Sequence, residues 1–80
     1  MHKRQKRLVK LLVDERKARR IRQQGLARML RQHQSWVSRL ESGERRIDVL
    51  EFLDIADAIG FDPVVALRKI HSERGRSSPR

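Results

Sequence analysis
Apolar residues along this chain recur at intervals of three and four, the spacing that lines one side of an α-helix. The first such segment runs from about Lys3 to Arg19, with Leu8, Leu11, Leu12 and Glu15 in one stripe and cations on either side. A second spans Gln23 to Leu30, with Leu26, Ala27 and Leu30 on one face, and a third spans Gln34 to Leu40, with Val37 and Leu40 facing in. Glu41-Ser42-Gly43-Glu44 then breaks the pattern, and Gly43 suits a left-handed helix end. The fourth segment has the clearest start: Asp48 can cap it, and Glu51, three residues on, can reach back as the capping-box partner. Its face is Leu50, Leu53, Ala56 and Ile59, and Gly60 ends it. Asp62-Pro63 opens a fifth, with Asp62 as cap and Pro63 at the first helical position, where its missing N–H costs nothing. Val64, Val65, Leu67 and Ile70 give it an apolar face. Alternating strand patterns and Asn-Gly or Asp-Gly hairpin turns are missing. The expectation is an all-α, five-helix domain over residues 8–71, preceded by a basic arm, 1–7, and followed by a disordered tail, 72–80.

Composition sharpens this. Eighty residues suit one domain and exclude a multidomain enzyme. With 38% apolar residues, one Trp, two Phe and no Tyr, the core must be small and aliphatic, near the lower limit for a chain that folds unaided. The absence of Cys excludes disulfides, thiolate zinc sites and cysteine nucleophiles. Leu8 to Val13 is too short for a signal sequence or membrane span, and Lys10 interrupts it, so a cytoplasmic protein is expected. His33 and His71 have no partner at ligand spacing, and no nucleophile stands near a base. Neither metal nor cofactor is expected, nor is an enzyme.

The net charge of +10 is not spread evenly. Residues 1–20 carry nine Lys or Arg against two acids, and residues 21–46 carry six against two. Residues 47–71 reverse the balance, with two cations against five acids. Segregation of this kind implies one surface that meets a polyanion. His2, Lys3, Arg4, Lys6 and Arg7 are either a solubilising end or an arm that touches nucleic acid.

The segments from Gln23 to Leu40 have the layout of a helix-turn-helix. Ala27 sits where the two helices must approach closely, and Leu30 and Val37 bracket the turn. The outward face of the second helix is Gln34, Ser35, Ser38 and Arg39. Gln offers the paired donor and acceptor that match adenine, and Arg forks onto guanine. The run LARMLRQHQSWVSRLESGER, preceded by IRQQ and followed by RIDVLEFLDIADAIGFDP, resembles the phage repressor/Cro (XRE) family of helix-turn-helix regulators, over roughly Leu8 to Ile70. The resemblance implies a lambda repressor-like fold and a role for each matching position. Gln34, Ser35, Ser38 and Arg39 would contact bases, with Ser38 lying nearer the backbone. Arg22, Gln23, Trp36, Ser42, Arg45 and Arg46 would lie along the DNA backbone, and Arg16 and Glu41 would form a structural pair.

The chain departs from the family at its turns. Arg20 and Arg31 stand where Gly is usual, Gln32 where an aliphatic residue is, and Arg22 and His33 where Ser or Thr caps are. If Arg20 and Arg31 take positive φ, each costs roughly 1 kcal/mol relative to Gly. A missing side-chain cap costs about 1 kcal/mol more. The expected function is a sequence-specific double-stranded DNA-binding transcriptional regulator, a homodimeric repressor whose helix 34–41 enters the major groove of a palindromic operator. Phe52, Ile55, Ile59, Val64, Leu67 and Ile70 include the candidates for its pairing surface, with Leu11 on the first helix as another. With no room for an effector domain, control would come from concentration, dimerisation or a partner. The rivals are an antitoxin whose tail, 72–80, engages a toxin, a small RNA-binding protein, and a helical protein-interaction module.

Overall fold
A computed structural model of the chain describes residues 2–72. Helices α1 (Lys3–Ala18), α2 (Gln23–Leu30), α3 (Gln34–Ser42), α4 (Val49–Ile59) and α5 (Pro63–Ser72) follow one another without a strand among the described residues. The segment read as a basic arm is largely the opening of α1. Lys3 to Arg7 are helical, and the His2 imidazole caps them by accepting from the Arg4 N–H at 3.0 Å. Ser72 ends α5, and the rest of the expected tail, 73–80, lies outside the described residues. Helix α3 continues to Ser42, past the expected end at residues 40–41.

The core is where α2 meets α3 and α4. Leu26 and Ala27 from α2, Val37 and Leu40 from α3, and Phe52, Ile55 and Ile59 from α4 are buried together with Leu12 of α1 and Ala66 of α5. Ala27 is only 3% exposed, which fits the close approach its small side chain permits. Burying each of the larger aliphatic side chains stabilises the fold by roughly 1.5–3 kcal/mol. Three apolar faces differ from expectation. On α4, Leu50 and Leu53 face solvent while Phe52 and Ile55 fill the core. On α5, Ala66 and Ile70 are buried, and Val64, Val65 and Leu67 are exposed. On α1 the buried stripe is Val9, Leu12 and Arg16, with Leu8 and Leu11 half-buried beside it. Four residues named for a pairing surface, Phe52, Ile55, Ile59 and Ile70, therefore belong to the interior.

Four helices end in the same way. A residue with positive φ turns the chain, and the next N–H reaches back to the carbonyl five residues earlier. These bonds are Ile21 to Arg16 (3.1 Å), Gln32 to Ala27 (2.9 Å), Glu44 to Arg39 (2.9 Å) and Phe61 to Ala56 (3.1 Å). The left-handed residues are Arg20 (φ 58°), Arg31 (φ 57°), Gly43 (φ 86°) and Gly60 (φ 100°). Both arginines thus adopt the strained conformation anticipated from their places in the sequence.

Candidate nucleic-acid interface
Helix α3 divides into two faces. Val37 and Leu40 are buried, while Gln34, Ser35, Ser38 and Arg39 are all exposed. Their spacing (i, i+1, i+4, i+5) sets the four on one side of the helix, opposite the core. The side chain of Ser42, one turn further on, donates to the Arg39 carbonyl at 3.1 Å.

Beneath this surface lies the pair that the resemblance implied. Arg16 Nε and Nη2 donate to the two carboxylate oxygens of Glu41 at 2.7 and 2.9 Å, and Nη1 donates to the Ile21 carbonyl at 2.7 Å. Both side chains are under one-tenth exposed, so α1, α3 and the loop before α2 are joined by a desolvated fork. Gln23, the first residue of α2, extends it. Its Nε2 donates to Glu41 Oε1 at 2.9 Å, and its Oε1 accepts a longer bond, 3.4 Å, from Gln34 Nε2.

Helices α2 and α3 both start without a side-chain cap, at Arg22 and His33. Arg20, Arg22 and Arg28 line one shallow concavity with Ile21, Gln24, Gly25 and Met29, and no acid borders it. Arg28 and Gln24 were not singled out in the sequence. They are an i, i+4 pair on the exposed face of α2, legible once the buried face is assigned. Arg31 lies elsewhere, in a groove with Leu30, Asp54, Asp57 and Ala58. Arg20, Arg22, Arg28, Arg31, Arg39 and Arg46 form no ion pair among the described residues.

The loop after α3 holds its cations differently. Arg45 stacks over the Trp36 ring, 4.6 Å from its centroid, and its guanidinium donates to both Glu51 oxygens at 3.2 and 3.0 Å. Glu51 also completes the capping box, accepting from the Asp48 N–H at 3.1 Å while Asp48 accepts from the Glu51 N–H at 2.7 Å. The hydrogen bond from Arg45 holds the Glu51 carboxyl below its ordinary range against the opposing effect of burial, with help from the Asp48 N–H and the Arg45 charge. Trp36 is half-buried against the core. Arg46 borders a groove with His2, Arg4, Leu8, Ile47 and Ile70, next to the start of α1. The structure therefore groups Gln34, Ser35, Ser38 and Arg39 with Gln23, and sets Arg45 and Arg46 in separate surroundings. No cluster of His, Asp or Glu able to hold a metal occurs among the described residues. No described helix is long and apolar enough to cross a membrane.

Comparison with known proteins agrees with this architecture. A family profile described as a helix-turn-helix domain matches residues 7–68. Comparison with curated protein sequences gives no match. Among solved structures, the chain is similar to an XRE-family like protein from Pseudomonas syringae pv. tomato str. DC3000, with 42% identity and a TM-score of 0.85. The match covers 90% of this chain and 88% of that one. The buried Arg16–Glu41 fork, the outward polar face of α3 and these likenesses lead to one assignment. The chain belongs to the XRE family of helix-turn-helix DNA-binding regulators.

Proposed function
We propose that the protein is a sequence-specific repressor that acts as a homodimer, each copy inserting α3 into the major groove of a palindromic operator. The observation that carries this reading is the four-residue polar face of α3. Gln34 and Arg39 supply the two side-chain chemistries that match adenine and guanine edges, with Ser35 and Ser38 beside them. Arg22 and Gln23 meet phosphate at the uncapped start of α2, where the helix N-terminus adds its own N–H groups. The acid-free concavity extends that contact through Arg20 and Arg28. Ser42 and the Trp36–Arg45 stack lie along the opposite phosphate wall, with Arg46 beyond them.

Pairing falls to residues that the core leaves uncovered. Val49 and Leu50 are 71% and 72% exposed, and Val64, Val65 and Leu67 are about half exposed. Such apolar exposure on so small a domain favours a second copy as its cover. A two-fold dimer would set the half-site centres about one DNA turn apart, ~34 Å. Repression then follows from occupancy of the operator.

Selection from random duplexes, followed by titration at two salt concentrations, tests the reading. The expected result is a palindromic site whose affinity falls with salt, with a slope of about −4 to −5 per subunit if ~5 phosphates are met. Arg39→Ala should cost about 1–3 kcal/mol on that site and relax one base position. Equal affinity for selected and random duplexes, or preference for structured RNA, would overturn it.

A further inference from the structure
Two arginine–carboxylate forks are built into the domain, and they differ in how firmly they close. Arg16 and Glu41 meet at 2.7 and 2.9 Å, with both side chains under one-tenth exposed. Arg45 and Glu51 meet at 3.2 and 3.0 Å, with side chains 31% and 26% exposed. Strong charge-assisted bonds close to about 2.7–2.9 Å, so the second fork is the looser one, and water reaches it. Its carboxylate is nevertheless fixed in place, because Glu51 Oε1 also accepts from the Asp48 N–H at 3.1 Å. The guanidinium is held by its face on the Trp36ring, 4.6 Å from the centroid, which leaves its edge free to change partners. Arg20, Arg22, Arg28, Arg39 and Arg46, the other arginines aligned with DNA above, form no ion pair among the described residues. Arg45 thus differs from the rest of that set: an acid cancels its charge before DNA arrives.

We propose that Glu51 is a built-in competitor for DNA: its carboxylate occupies the edge of Arg45 in the free protein, and a backbone phosphate takes its place in the complex. This rests on the loop after α3 lying along the phosphates, as set out above. Carboxylate and phosphate both accept a guanidinium as a two-pronged fork, so one can replace the other on the same edge. An exposed ion pair contributes little, and at a duplex surface the release of counterions adds to the exchange. Glu51 therefore lowers affinity for every sequence while it steadies the start of α4. These two effects have opposite signs, which separates a competitor from a merely structural residue.

The test uses the full chain and a random duplex, so it does not depend on finding an operator. Glu51→Gln keeps the capping box, where Gln also serves, but removes the charge. It should bind the duplex roughly 3–5-fold more tightly, the range of one exposed ion pair, while its urea midpoint falls or stays the same. Glu44 is exposed in the same loop and forms no ion pair among the described residues, so Glu44→Gln reports the general effect of removing an acid. The gain in Glu51→Gln should exceed that control, and in an Arg45→Ala background it should shrink to match it. In the wild type, the carbon-13 signal of the Glu51 carboxylate should move when duplex is added, as it loses Arg45. Unchanged or weaker binding by Glu51→Gln overturns the proposal. So does a gain that survives intact in Arg45→Ala, since Glu51 would then act by its field alone. A Glu51 signal unmoved at saturating duplex overturns it too, and this measurement decides alone if Glu51→Gln does not fold. Failure to prefer any selected duplex over random ones would instead count against the repressor reading and leave the competition at Arg45 standing.

Discussion

The two halves of the domain close their helices with different chemistry. After α1 and α2 the chain turns through Arg20 and Arg31 in the left-handed region, whereas α3 ends at Gly43, and α2 and α3 start without side-chain caps. In the rear, Gly60 makes the same turn, Asp48 and Glu51 form a full capping box, and the Asp62 carboxylate accepts from the N–H groups of Val64 and Val65 at 2.9 and 3.3 Å. The rear thus has the local features that make helices form readily. The front carries Arg20, Arg22 and Arg31 at such positions, and a buried fork joins α1 to α3 beside the shared core. Local stability has been exchanged for positive charge at Arg20 and Arg22, next to Gln23.

Removing one end of the fork should break that arrangement most severely. Arg16→Met leaves Glu41 buried and unpaired, at a cost of about 3–5 kcal/mol, read as a lower urea midpoint. That is a large share of the roughly 5–10 kcal/mol that so small a domain has in total. The turns offer a matched pair of opposite sign. Gly60→Ala forces a methyl group into a strained backbone and should cost about 1–2 kcal/mol. Arg31→Gly relieves the same strain and should gain at most ~1 kcal/mol, reduced by the greater freedom of glycine in the unfolded chain. Thermal melts of both variants test whether the front is strained where the rear is not.

Asp48→Ala removes the cap of α4 and should cost about 1 kcal/mol, whereas His33→Ala, which removes no capping bond, should cost far less. The smallest effect is electrostatic. The carboxyl of Glu51 lies below its ordinary value of 4.5 in the folded protein. Its contribution is therefore complete above that value and is lost as pH falls through the lowered one. Because the pair with Arg45 is about one-third exposed, Glu51→Gln should flatten the acid limb of stability by under ~1 kcal/mol.

Much of this was legible in the chain, because end signals are local. Gly43, Gly60, Asp48, Glu51 and Pro63 mark their helix boundaries by chemistry that needs no tertiary contact. Faces were harder. Leu50 and Ile59 are nine residues apart, and at about 100° per residue that is half a turn, so they cannot share a face. The stripe that packs is Phe52, Ile55, Ala56 and Ile59, which closes on itself at i, i+3, i+4 and i+7. On α5 the core contact falls to Ala66, which is smaller than the apolar residues beside it and carries no size signal in the sequence. The site was readable at α3, where exposure follows from period, and through the resemblance at Arg16 and Glu41. The hold on Arg45 was not, since it depends on how the loop folds back over Trp36. Nor was the separation of Arg31, with Asp54 and Asp57, from Arg20 and Arg22.

The Arg45–Trp36 stack also gives the protein an optical property. Trp36 is the sole indole, and the chain has no tyrosine. Its emission therefore reports from a single place, beside the exposed polar face of α3 and under a guanidinium. Any ligand that displaces Arg45 or dries the ring will change intensity or colour without a label. Association with DNA can thus be followed in real time on the unmodified chain.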